Sequence, residues 1–164
     1  MLAALAGAAV FAWTGCSDSS NEANETPSPS LAAAGSATIA INSATVPPDT
    51  EFTAEVTVTP AEGGSVGALD LRISYDGSLL TFVECSATGG AVCNAAPGET
   101  AVLFRFAGLD GVSGSLGSIT FKSQTTEGQT PLQATVEACA NIEANLIDCE
   151  GVDGLVTISA AAGP

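Results

Sequence analysis

Five cysteines and eighteen carboxylates are the residues of this chain best equipped for chemistry, and it contains no histidine. The absence of histidine removes the commonest general base and the commonest metal ligand. Glycoside hydrolysis could still use two carboxylates held at a fixed separation, but nothing in the spacing of the acids singles out such a pair. No catalytic residue is therefore assigned. Four of the cysteines, Cys85, Cys93, Cys139 and Cys149, lie in the second half of the chain, and none is spaced C-x-x-C. A thiolate metal cage usually needs that spacing, so these four are read as disulfide formers and no metal site is assigned. Four cysteines allow three pairings. The local one, Cys85 with Cys93 and Cys139 with Cys149, closes two short loops between strands. Each such bridge stabilises a fold by roughly 2–3 kcal/mol in the chain-entropy account, and both require an oxidising compartment.

Net charge narrows the partners. Three basic residues, Arg72, Arg105 and Lys122, face eighteen acidic ones, for a net charge of −15. Nucleic acid is excluded, because phosphate binding needs clustered Lys and Arg. Anionic membrane surfaces are excluded on the same ground, which leaves a lipid anchor as the only route to a membrane. Glu143, Asn145, Asp148, Glu150 and Asp153 would offer calcium the hard oxygen ligands it takes. Their spacing does not match an EF-hand loop and Cys149 sits among them, so they are read as a solvated acidic loop.

The elements that must position these groups are β-strands. From 68 to 75 the residues alternate, with Leu69, Leu71, Ile73 and Tyr75 on one side and Asp70, Arg72 and Ser74 on the other. A period of two places the apolar set on the buried face of a strand. The polar set, together with Arg105, is the candidate binding face. Asp76-Gly77 supplies a tight turn, and Leu80 and Phe82 resume on a second strand that ends near Cys85. Further short strands with one apolar face are expected at 37–41, 52–58, 100–107, 114–122, 132–138 and 154–158. That makes about eight or nine, and two antiparallel sheets packed face to face are the economical solution. The fold class is all-β.

The N-terminal part is organised differently. Residues 1–16 form an apolar run too short to span a bilayer and fit a signal peptide. Thr14-Gly15-Cys16 resembles a bacterial lipobox, in which Cys16 would carry the lipid; Trp13 stands where such motifs usually have Leu. An ordinary secretory cut after an Ala near 32–34 is the alternative. Residues 17–36 are rich in Ser and Pro and weakly acidic, the composition of a disordered tether. Residues 37–160 form the folded domain.

Four stretches of that domain carry a family resemblance: VPPDTEFTAEVTV, GALDLRISYDGSLLTFVEC, AVLFRFAGLDGVSGSLGSITFKS and the closing GLVTI. From 46 to 158 the chain resembles a cohesin domain, the module that receives dockerins in cellulosomes and related surface assemblies. The resemblance implies a nine-stranded jelly-roll β-sandwich, immunoglobulin-like in outline, with no catalysis and no cofactor of its own. It also implies an extracellular receptor at the bacterial surface whose partner is a secreted, dockerin-type protein, with calcium entering only through that partner and a role in polysaccharide degradation. No duplicated D-x-N-x-D-G loop of the dockerin kind occurs here, so the partner is another protein. The departures are a single copy behind a tether and four domain cysteines, which are not general in the family. Two other functions stand beside this one, a carbohydrate-binding module and a structural domain of the cell envelope. After signal removal no Trp remains and Tyr75 alternates with core residues, so the aromatic platform that grips crystalline polysaccharide is missing.

Overall fold

Every regular element of the computed structural model, which describes residues 35–160, is a β-strand. In chain order these are β1 (Ser36–Ile41), β2 (Ala44–Val46), β3 (Glu51–Pro60), β4 (Val66–Ser74), β5 (Leu80–Ala87), β6 (Val92–Ala95), β7 (Ala101–Val112), β8 (Gly114–Ser123), β9 (Gly128–Ala140), β10 (Asp148–Val152) and β11 (Gly154–Ile158). The leader at 1–16, Cys16 and the tether up to residue 34 lie outside the described residues.

The strands form two sheets, β10-β1-β3-β8-β5 and β2-β11-β9-β4-β7-β6. Their inner faces meet in one apolar core. Leu71 and Ile73 from β4, Phe104 from β7 and Leu132 from β9 pack toward Ile39, Val56, Ile119 and Phe121 of the other sheet, all fully buried. The alternation read at 68–74 is observed, with Leu69, Leu71 and Ile73 buried and Asp70, Arg72 and Ser74 on the outer side. Tyr75 leaves the strand half-buried and meets the Phe121 ring edge-on at 4.9 Å.

Eleven segments replace the expected nine because two strands change sheets part-way. β1 and β2 are halves of one run broken at Asn42-Ser43, and β10 and β11 are halves of another broken at Asp153. The breaks are bonded into place. Leu155 N–H donates to Ser43 Oγ at 3.0 Å, and Ala134 N–H donates to Asp153 Oδ1 at 2.8 Å. This switching corrects two expectations. The sheets are not wholly antiparallel, since β1–β10 and β2–β11 pair in parallel. The acidic stretch is not a single loop, since Asp148 and Glu150 belong to β10, with only Glu143 and Asn145 in the loop before it. The two strands expected on either side of the Asp76-Gly77 turn, β4 and β5, are observed, and they lie in different sheets, so the chain crosses between layers there.

Both disulfides take the local pairing, Cys85–Cys93 and Cys139–Cys149. Each joins a strand of one sheet to a strand of the other: β5 to β6 on one flank and β9 to β10 on the opposite flank. Strict alternation would have prevented both. Counting by twos from Leu80, Cys85 would point outward; counting from Leu132, so would Cys139. A bulge at Val83 in the β5–β8 ladder and another at Glu137 in the β4–β9 ladder each add one residue. One extra residue reverses every side chain beyond it, and both cysteines turn inward toward their partners.

The β9–β10 flank is closed by contact as well. A Cβ on Gly151 of β10 would stand 2.3 Å from the Ala134 carbonyl oxygen of β9, so only glycine lets these backbones approach. Gly151→Ala is expected to lower stability by about 1–3 kcal/mol, the usual cost of overpacking, seen as a drop in thermal midpoint of several degrees. Replacing Cys85 and Cys93 together by Ser should cost roughly 2–3 kcal/mol in urea unfolding. A pair of unchanged unfolding curves would contradict the clamped-sandwich account.

Candidate binding face

The outward side chains of β4, β7 and β9 form one exposed surface of the six-stranded sheet. Register alone sets the first pair. Asp70 of β4 lies directly opposite Arg105 of β7, and Arg105 Nε donates to Asp70 Oδ1 at 3.2 Å. Arg72, two residues on, sits between two carboxylates. Its Nε donates to Glu137 Oε1 at 2.9 Å, and its Nη1 donates to Glu99 Oε2. Glu137 is the extra residue of the β9 bulge, and Glu99 comes from the loop between β6 and β7. The hydrogen bond to Glu137, followed by that to Glu99, holds the Arg72 guanidinium above its ordinary pKa. Ser74 closes the row, opposite Ala101 of β7 and Gln133 of β9.

The four residues singled out in the sequence therefore share one face. Asp70 and Arg105 bond to each other, while Arg72 has its own partners and Ser74 stands at the end of the row. Glu99 and Glu137 were missed. Glu137 carried a usable signal, since the alternation from Leu132 puts it outward; Glu99 carried none, because a loop brings it in. The remaining cation, Lys122 of β8, donates to Asp49 Oδ1 at 2.8 Å away from this face, which raises its pKa. All three cations of the chain are thus engaged, with an excess of carboxylate around them.

Beyond Asp70 the face changes character. Gly67, Ala68, Ala107, Asn141 and Ile142 line a mainly apolar depression of about 340 Å³, with Leu109 on its rim. Leu109 is 89 % exposed, and Leu146, a few residues after Ile142, is 80 % exposed. The depression and this exposed leucine give one end of the face an apolar character. Sequence reading missed it, since Leu109 falls in a stretch that reads as turn. The acidic residues considered for calcium do not converge. Asn141 Oδ1 accepts from the Glu143 and Asn145 N–H groups, Asp153 Oδ1 accepts from the Ala134 N–H within β9, and no group of three ligand-type side chains comes together among the described residues.

Comparison with known proteins agrees with this architecture. The cohesin domain family model matches residues 37–158, so the chain belongs to the cohesin domain family. Its fold is similar to the seventh ScaB type I cohesin of Pseudobacteroides cellulosolvens, at 17% identity and TM-score 0.67, covering 77% of this chain and 94% of that one. A non-cellulosomal cohesin from the archaeon Archaeoglobus fulgidus is similar at 20% identity and TM-score 0.63, covering 76% and 92%. The OlpA cohesin of Clostridium thermocellum, solved in complex with a dockerin, is similar at 17% identity and TM-score 0.65, covering 76% and 99%. No curated protein matches the chain.

The turn that launches β5 carries a testable electrostatic feature. Asp76 Oδ1 accepts from both the hydroxyl and the N–H of Ser78, at 2.7 and 2.8 Å. The hydroxyl bond first, then the backbone bond, hold the carboxyl below its ordinary value. A depressed folded pKa contributes stability above the unfolded pKa, and that contribution is lost as pH falls through the folded one. Asp76→Asn should therefore lower stability near neutrality, where that contribution is fully present, and flatten the acid limb of a stability-versus-pH curve below about pH 4, where wild type and variant converge.

Proposed function

We propose that the chain is a non-catalytic extracellular receptor module whose β9-β4-β7 face holds a dockerin-bearing secreted protein. A lipid on Cys16 and the tether at 17–36 would display the domain at the cell surface, in the service of polysaccharide degradation. The observation that carries the reading is the juxtaposition on one face of a cohesin-family fold: the Asp70–Arg105 pair, Arg72 between Glu99 and Glu137, and the apolar depression beneath Leu109. A structural neighbour with this architecture was solved with a dockerin bound.

The physical division of labour follows from the geometry. The depression offers an apolar anchor site, where docking free energy concentrates. The ion pairs fix orientation and register. With every cation already engaged and a net charge of −15, long-range attraction favours a partner that presents positive charge.

The test is retention of secreted proteins of the producing organism on the immobilised chain, with calcium and with chelator. The expected outcome is calcium-dependent recovery of a protein carrying paired D-x-N-x-D-G loops. Arg72→Ala and Leu109→Ala should each weaken that protein's binding about tenfold, equivalent to roughly 1.4 kcal/mol. Leu109 is exposed and Arg72 is half-exposed in surface ion pairs, so the melting temperature should move little. Recovery of no such protein, or affinity indifferent to both substitutions, would set the reading aside.

A further inference from the structure

The outer face of the six-stranded sheet has a second half that the ion pairs do not use. It begins where Ser74 pairs with Gln133 and extends across β9 to β11 and β2. Along β9 the outward residues are Gln129, Pro131 and Gln133, all exposed, while Thr130 and Leu132 between them are buried. Across the ladder Leu155 of β11 stands opposite Pro131, and Thr157 stands opposite Gln129. Ser74, Tyr75 and Asp76 close the other side. Together Ser74, Asp76, Gln129, Pro131 and Gln133 border a cleft of about 290 Å³ with the half-buried Tyr75 ring in its wall.

We infer that this cleft binds a neutral oligosaccharide, a function separate from protein docking and independent of it. A sugar presents hydroxyls that each donate and accept, set around a ring with apolar C–H faces. The cleft answers both parts. A glutamine amide offers two donors and a carbonyl acceptor, which suits two neighbouring hydroxyls. Gln129 donates one bond to Thr157 Oγ1 at 3.2 Å, which orients the amide and leaves its oxygen to accept. Asp76 takes both Ser78 bonds on Oδ1, leaving Oδ2 as a fixed, charged acceptor. The rings of Pro131 and Tyr75 in the cleft wall supply the apolar contact.

Charge selects the class of sugar. Asp76 is the one ionisable carboxylate bordering the cleft and no cation borders it. Against the net charge of −15, a uronic or sulfated sugar would find repulsion without a compensating partner. The row from Gln129 to Gln133 is about 13 Å long at the rise of an extended strand, room for a short stretch of a linear chain. A shallow polar cleft of this kind binds weakly one sugar stretch at a time, and a polymer gains by repeated engagement.

Affinity electrophoresis of the full chain tests the inference. Native gels would contain hydroxyethylcellulose, galactomannan or xylan as neutral polymers, and polygalacturonate as the anionic one. The expected result is retardation by at least one neutral polymer and none by polygalacturonate. Gln129→Ala combined with Gln133→Ala should weaken the association at least fivefold, Gln133→Glu should weaken it too, and Arg72→Ala should leave it unchanged. Gln129 and Gln133 are exposed and Arg72 is half-exposed, and a melting temperature close to that of the unaltered chain will verify the fold of each variant. Passage of the chain unretarded through all three neutral gels would overturn the inference. Retardation that survives the double substitution, or that disappears with Arg72→Ala, would overturn it as well.

Discussion

The structure depends on holding two sheets in register across an apolar layer that contributes no directional bonds of its own. Burial of Leu71, Ile73, Phe104, Ile119 and Phe121 drives the layers together, yet the hydrophobic effect is indifferent to small slides of one sheet over another. Direction comes from the flanks. Cys85–Cys93 and Cys139–Cys149 tie the layers covalently on opposite sides, and the two switching strands cross between layers by way of their own backbones. Ser43 and Asp153 bond those crossings to the neighbouring strands. Three of the four edge strands, β2, β6 and β10, are only three to five residues long, and the fourth, β5, is tied to β6 by a disulfide. That is one of the ways in which β proteins avoid edge-to-edge association.

The bulges connect this scaffold to the exposed surface. A single inserted residue at Glu137 does two things at once. It turns Cys139 into the core, where Cys149 can reach it, and it presents Glu137 and Ala138 consecutively on the outer face. Glu137 is the first partner of Arg72. The same irregularity that permits a flank disulfide therefore completes the ion-pair group, so stability and surface chemistry are coupled through one residue of register. The bulge at Val83 has the corresponding effect on Cys85 and leaves Val83 itself exposed.

How far the sequence could be read follows from the same facts. The strand over 68–74, its two faces and the placement of Asp70, Arg72, Ser74 and Arg105 on one surface were legible, because a half-buried strand writes its orientation at period two. The local cysteine pairing stood among three options, and its geometry shows why it was reachable. What escaped were features without a local signature. The β4–β5 turn looks like a hairpin turn, since Asp76-Gly77 serves equally well for a strand that crosses to the other layer. Parallel pairing of β1 with β10 joins residues more than a hundred positions apart, which no window of local pattern contains. β10 was hidden because Asp148, Glu150 and Val152 are exposed and Gly151 lacks a side chain, so the strand shows no apolar alternation. A bulge is by nature a break in the pattern used to read a strand, and Glu99 joins Arg72 through a loop.

The outer face then divides according to what each half does with its charge. In the β4–β7 half, two arginines meet three carboxylates, and an exposed leucine borders an apolar depression. Such a surface is expensive to desolvate except against a partner that both fills the depression and re-forms the ion-pair network, and that requirement confers selectivity more than affinity. In the β9–β11 half, amides and hydroxyls stand among Pro131 and Leu155, with Asp76 the one charge at the border. Neutral groups are desolvated at lower cost and recognise ligands by hydrogen-bond pattern instead of field. Two chemistries on one sheet arise from ordinary strand alternation. The ladder gives each strand one solvent face, β4 contributes its charged residues toward β7, and β9 contributes its amides toward β11. Since Ser74 and Gln133 are direct neighbours across the ladder, the boundary between the halves is a single residue pair, and the two surfaces can be altered independently on either side of it.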